Sequence, residues 1–177
     1  MTTISTFGHG TLPAERLSSL VAGSGVRQVI DVRSFPGSRR NPHVARQEME
    51  RWLPEAGISY TWVRSLGGRR RPRDGSRNTA LRHEAFRGYA DHMTSPEFQS
   101  GVDELMALAG PVSTAVMCSE AVWWRCHRRL LADHLVLVRG VDVVHLMHDG
   151  RRVPHTPTEG VRVDDGGLVY DVHASAP

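Results

Sequence analysis

The sequence predicts a single α/β domain, three layers deep, with a mostly parallel sheet of about five strands flanked by helices. Three observations carry that expectation. Short β-rich runs alternate with stretches of helical period along residues 1–150, the pattern of successive βαβ units. Hydrophobic residues make up 40% of 177, enough for one well-buried core. The chemically unusual residues fall just after the expected strands, where right-handed crossovers gather strand ends on one edge.

The elements follow in order. Residues 4–7 read as a first strand, closed by Gly8-His9-Gly10. Pro13 suits a helix start, and Leu17, Leu20 and Val21 share a helical face that ends near Gly23. Residues 26–32 form a second strand. The loop after it, 33–42, is rich in arginine and turn formers. Residues 44–56 read as helix and 58–63 as a third strand. Residues 66–75 form a basic, mobile-looking loop. Helices are expected over 80–93 and 95–109, the second with Ser95 as cap and Pro96 in its first turn. A β-rich run from Val112 leads to Cys118-Ser119-Glu120, and a helix follows with Leu130, Leu131 and Leu135 on one face. Residues 141–147 form the fifth strand. Residues 151–177 read as a turn-rich extension packed on or trailing from the domain, with one short strand over 168–172.

Composition narrows the function classes. The two cysteines make a disulfide scaffold unlike this chain, and a cytoplasmic location is expected. No basic start followed by an apolar run suggests a signal peptide, and no apolar run reaches membrane-spanning length. All 22 basic residues are arginine, which excludes lysine-based Schiff-base chemistry and makes every positive group a planar fork suited to phosphate or carboxylate. Charge is split along the chain. Residues 1–90 hold 15 Arg against 7 acids, a net of +8; residues 91–177 hold 7 Arg against 12 acids, a net of −5. A basic half either meets an anionic partner or faces the acidic half within the fold.

Four segments then supply candidate site residues. Cys118 stands between a strand and a helix, where a helix N-terminus and nearby arginines would lower its pKa and make it a nucleophile; the alternative is a buried small hydrophobe. Glu120 is the candidate general acid or base, or else a cap of the helix. His9 adds a donor or proton carrier. Asp31 and Arg33 are substrate-binding candidates or a structural ion pair. Arg33, Arg64 and Arg128 suit bidentate contacts to an anion, with Ser38, Cys126 and His127 beside them. Gly67 and Gly68 would hinge a lid made of the basic loop. A rhodanese- or phosphatase-like anion loop fits poorly, because Ala121, Val122, Trp123 and Trp124 are bulky where such a loop wants glycine. Cys118 and Cys126 with a histidine match no standard zinc spacing, so no metal and no other cofactor is expected.

The ordered motifs resemble a known family. Thr6-Phe7-Gly8-His9, Asp31-Val32-Arg33 with Pro36 and Ser38, Gly57-Ile58-Ser59-Tyr60, Leu66-Gly67-Gly68, Cys118-Ser119-Glu120 with Cys126-His127-Arg128, and Val144-His145-Leu146 are together similar to the bacterial and archaeal family catalogued as domain of unknown function 488. The similarity spans about residues 4–150. It implies a compact α/β domain with these motifs at one sheet edge, and no reaction. His9 departs from it, standing where many relatives carry an aromatic residue.

The expected function is an enzyme acting on a small anionic substrate: a nucleotide, a nucleic-acid component or another phosphorylated molecule. One alternative is a nucleic-acid-binding module using Arg69, Arg70, Arg71, Arg73 and Arg77, with Tyr60 and Trp62 nearby. A second is a metal-binding protein using Cys118, Cys126 and a histidine. No membrane partner is expected, and a homo-oligomer is compatible with the sequence.

Overall fold

The computed structural model describes residues 2–175. Its centre is a six-stranded sheet in the order β3-β2-β4-β1-β5-β6. The strands are β1 (Thr3–Gly8), β2 (Gln28–Asp31), β3 (Ser59–Trp62), β4 (Thr114–Cys118), β5 (Asp142–Leu146) and β6 (Arg152–Pro154). The first five run parallel, and β6 pairs antiparallel with β5, placing Leu146 opposite Arg152. The helices are α1 (Ala14–Gly23), α2 (Arg46–Glu55), α3 (Glu84–His92), α4 (Pro96–Ala109) and α5 (Arg128–Leu137). A separate hairpin pairs β7 (Val161–Asp164) with β8 (Gly167–Tyr170).

The three-layer arrangement follows from where the apolar residues fall. Every residue of β2 and β4 is buried, as expected of parallel strands covered on both faces. On one face Phe7, Val29, Ala115 and Met117 pack against Leu17 and Val21 of α1 and Met49 and Leu53 of α2. On the other, Ile4, Ile30 and Val116 pack against Phe98, Val102 and Leu105 of α4 and Leu130, Leu131 and Leu135 of α5. Ser95 caps α4 as its sequence suggests, accepting the Phe98 N–H at 3.2 Å, with Pro96 opening the helix.

The sheet has one strand more than the sequence suggested. The extra strand, β6, is three residues long and carries Pro154, too short and too polar to show a period-2 pattern. The hairpin is packed on the domain, since Leu168 and Tyr170 join the core on the α5 side.

The strand order makes a crevice. From β2 the chain turns outward over α2 to the edge strand β3. From β4 it turns the opposite way, over α5 on the other face, to β5. The two connections part between the C-terminal ends of β2 and β4, which is where open α/β sheets bind their ligands.

Candidate functional site

Strand pairing brings the sequence motifs together. Gly8 lies opposite Cys118, and Asp31 opposite Met117. The pairing continues past the strands, with the His9 N–H donating to the Cys118 carbonyl at 3.0 Å and the Val32 N–H to the Met117 carbonyl at 3.0 Å. Gly8 is required here, because a Cβ would collide with the Glu120 carbonyl and sit 2.9 Å from Nη1 of Arg128.

A cavity of about 240 Å³ opens between the ends of β2 and β4. Its wall comes from four separated segments: Arg33 to Phe35, Gly68 and Arg69, Phe86, and Cys118 to Glu120 with Arg125 to His127. A second hollow of about 270 Å³ shares Ser34, Phe35, Gly68 and Arg69 and adds Arg64 and Arg70. Phe35, 62% exposed, forms the shared rim, and the Arg69 guanidinium stacks 5.4 Å over its ring. Arg69 holds this place in a left-handed backbone conformation, φ 59°, which costs an arginine energy that the surrounding packing must supply.

Below the rim the polar groups are held rigidly. Asp31, fully buried, accepts hydrogen bonds from Nε and Nη2 of Arg33, the Arg33 N–H and the Tyr60 hydroxyl. Nη2 of Arg33 also donates to the Val44 carbonyl at 2.8 Å, and Nη1 to Nε2 of His9 at 3.3 Å. Arg33 is thus committed to an internal ion pair and supplies one edge of the cavity wall. His9 donates through Nδ1 to the Gly10 carbonyl at 2.8 Å, so its Nε2 is the acceptor. Burial holds its pKa down to about 4, and it stands as a neutral imidazole.

His127 is fixed the same way. Its Nε2 lies 3.0 Å from the Val32 carbonyl and must carry the proton, which leaves Nδ1 as a bare acceptor 3.6 Å from the Cys126 sulfur. Burial lowers its pKa as well. Gly68 lets this ring approach, since a Cβ there would lie 2.7 Å from Nδ1; at Gly67 one would collide with Ser34. The Ser34 hydroxyl donates to the Gly68 carbonyl at 2.6 Å. Both glycines are therefore closely packed, Gly68 in the cavity wall.

The two thiols sit differently along the connection from β4 to α5. The chain does not pass directly from β4 into α5: residues 119–127 intervene, with a short 3-10 turn at Trp123–Arg125. The helix N-terminus therefore meets Cys126. Burial pushes the Cys118 thiol well above its ordinary pKa. Its sulfur donates to the Glu120 carbonyl at 3.9 Å. Burial also raises Cys126, but the neighbouring Cys118 and Arg128 outweigh it and leave that thiol more acidic than usual. Cys126, and not Cys118, stands just before the unbroken helical run.

Three other residues sit differently from expectation. The Ser38 hydroxyl accepts the Asn41 N–H at 3.0 Å, shaping its own loop outside the cavity wall. Arg64 lines the adjoining hollow. Arg128 is buried, 1% exposed, outside the cavity wall, with its Nη2 donating to the Ala121 carbonyl at 3.2 Å. The basic loop is pinned: Asp91 of α3 accepts the Arg73 N–H, the Ser76 hydroxyl and the Asn78 amide, and Gly88 of α3 lies against the backbone of Arg70 and Arg71. Arg77 pairs with Asp164 at 3.0 Å and Arg70 with Glu97 at 3.7 Å, so part of the basic half faces the acidic half. Among the described residues no three His, Cys, Asp or Glu side chains are grouped to hold a metal ion.

The family model for "Domain of unknown function DUF488" matches residues 13–135, which hold β2, β4, both cysteines and the start of α5. The chain belongs to the DUF488 family. The DUF488 match is narrower than residues 4–150 and leaves out His9 and His145, so these two rest on the fold of this chain alone. No curated protein and no solved structure matches the chain. Among the described residues, no helix is long and apolar enough to cross a membrane.

Proposed function

We propose that the crevice between β2 and β4 is the active site of an enzyme acting on a small anionic substrate, of the class of nucleotides, nucleic-acid components or other phosphorylated molecules. The observation that carries this reading is the composition of one wall: two thiols, a carboxylate, an imidazole and several arginines from four segments line a single cavity at the sheet's switch point. Arg69 and Arg125 lie at its exposed side, with Arg64 and Arg70 in the hollow beyond, and they provide the forked donors for an anion. Phe35 and Phe86 offer ring faces to a planar group. Glu120, exposed at the mouth, is the acid or base. Arg33 and Asp31 hold the frame.

A ligand panel tests this. Inorganic phosphate, nucleoside monophosphates and sugar phosphates are titrated against the protein by calorimetry, and against Arg69→Ala/Arg125→Ala. Saturable binding by one class, weakened about tenfold or more in the double variant, is expected from the loss of two charge-assisted contacts. Binding that ignores both arginines, or none by any member of the panel, would sink the reading.

A further inference from the structure

One thiol in the crevice has a base beside it. The Cys126 S–H donates to Nδ1 of His127 at 3.6 Å, a hydrogen-bond distance for sulfur. The far side of the same ring is tied down, its Nε2–H donating at 3.0 Å to the Val32 carbonyl just past β2. The Tyr89 ring packs on the imidazole with centroids 4.9 Å apart, and Gly68 lies so close to Nδ1 that a Cβ would crowd it. A nucleophile, a base and a group that orients the base are the parts of nucleophilic catalysis. Cys118 lacks them, since its S–H meets the Glu120 carbonyl, which takes no proton. Cys126 and His127 both line the main cavity, with Arg69, Glu120 and Arg125 on the same wall.

The arrangement also favours one kind of electrophile. Attack on phosphorus calls for a tight cradle of backbone N–H groups. Here Ala121 to Trp124 follow Glu120 instead, and Trp123 lies flat on the His145 ring with centroids 4.4 Å apart. A single ring nitrogen that takes the thiol proton and returns it to a leaving group is what acyl transfer needs.

We propose that Cys126 is the nucleophile and His127 its base in the transfer of an acyl group from a phosphate-bearing donor. The proposal rests on the reading of the crevice as an anion-binding active site. The S–H proton passes to Nδ1 as sulfur attacks the acyl carbon. The S–C bond forms, the bond from that carbon to the donor oxygen breaks, and the donor oxygen leaves with the proton from Nδ1. Water then attacks the thioester carbon and gives a proton to Glu120. The C–S bond breaks, the acyl group departs as a carboxylic acid, and sulfur regains its proton from Glu120.

Acetyl phosphate is the probe, used on the full chain, where no lysine competes for its acetyl group. In Glu120→Gln, in which water is not activated, the intact mass should gain one acetyl group, carried by tryptic peptide 126–128. Acylation should be about a hundredfold slower in His127→Gln, whose amide can still donate to the Val32 carbonyl. At about pH 9.5, where the thiol ionises without help, iodoacetamide should alkylate Cys126 equally fast with either residue at 127. An acetyl group on Cys118 or on neither thiol, a phosphoryl group in its place, unchanged acylation in a folded His127→Gln, or slower alkylation of that variant at about pH 9.5 each overturns the proposal. If His127→Gln does not fold, the peptide that carries the acetyl group decides. Acylation of Cys126 that needs His127 but ignores Arg69→Ala/Arg125→Ala would uphold the pair and remove the anionic-substrate reading. Anion binding without acylation would remove the pair alone.

Discussion

Asp31 illustrates how a residue read as a ligand contact can belong to the frame. Its carboxylate is buried and accepts from Nε, Nη2 and the backbone N–H of Arg33, together with the Tyr60 hydroxyl. Asp31→Ala would strand a buried guanidinium, and a loss of about 3–5 kcal/mol is expected, read from urea unfolding. Glu120→Gln should leave that midpoint within about 0.5 kcal/mol, because the side chain is exposed, while turnover of whatever substrate the panel finds is lost. Equal stability loss in both variants would show that Glu120 is structural. At this scale the sequence was informative about residue types and less so about their pairing. Asp31 and Arg33 are two apart, so a local ion pair was visible as an option. His9 and Arg33 meet only because β1 and β2 lie on either side of β4, a proximity no local pattern encodes. That Cys126 and not Cys118 stands just before the helical run opening at Arg128 is legible in the sequence itself.

Among the elements, the five helices were legible from their apolar period and the five parallel strands from short apolar, β-rich runs. The segment 66–78 was not. Its composition reads as solvated and mobile, yet Asp91, on a helix later in the chain, gathers Arg73, Ser76 and Asn78 onto one carboxylate. A contact of that kind depends on where α3 lands and leaves no periodic trace. It has a direct consequence: Asp91→Ala should free the loop. Limited trypsinolysis should then cut between 69 and 77 much faster than in the parent, while cleavage elsewhere stays unchanged. Equal rates in the two proteins would show that the packing of Gly88 under Arg70 and Arg71 holds the loop without Asp91.

Across the molecule, several histidines share one property that ties stability to pH. His9 and His134 are held down to about 4 and His145 to about 3, burial being the largest cause in each case. The His134 ring nitrogens have no hydrogen-bond partner among the described residues, and His145 is locked between the Thr6 hydroxyl at 2.6 Å and His155 at 2.9 Å. His155 in turn meets Asp133 of α5, which also takes the Tyr170 hydroxyl, so this chain fastens the segment after β5 to the helix layer. Each of the three histidines is neutral when folded and takes up a proton near pH 6.5 when unfolded. Because the folded pKa is the lower one, the unfolded state binds more protons between the two values, and stability falls as pH drops through that window. Above pH 6.5 their contribution is fully present; below about 4 the fall from His9 and His134 is complete. The slope is at most about 1.4 kcal/mol per pH unit for each histidine. The carboxylates with lowered values, Asp149, Asp164 and Asp171, start from 3.8 when unfolded and act only below this range. Urea midpoints measured at steps from pH 8 to pH 4.5 should therefore decline most steeply below about pH 6.5. Midpoints that stay level to pH 4.5 would mean these imidazoles become charged inside the folded protein, and the buried chain from Thr6 to Asp133 would have to be redrawn.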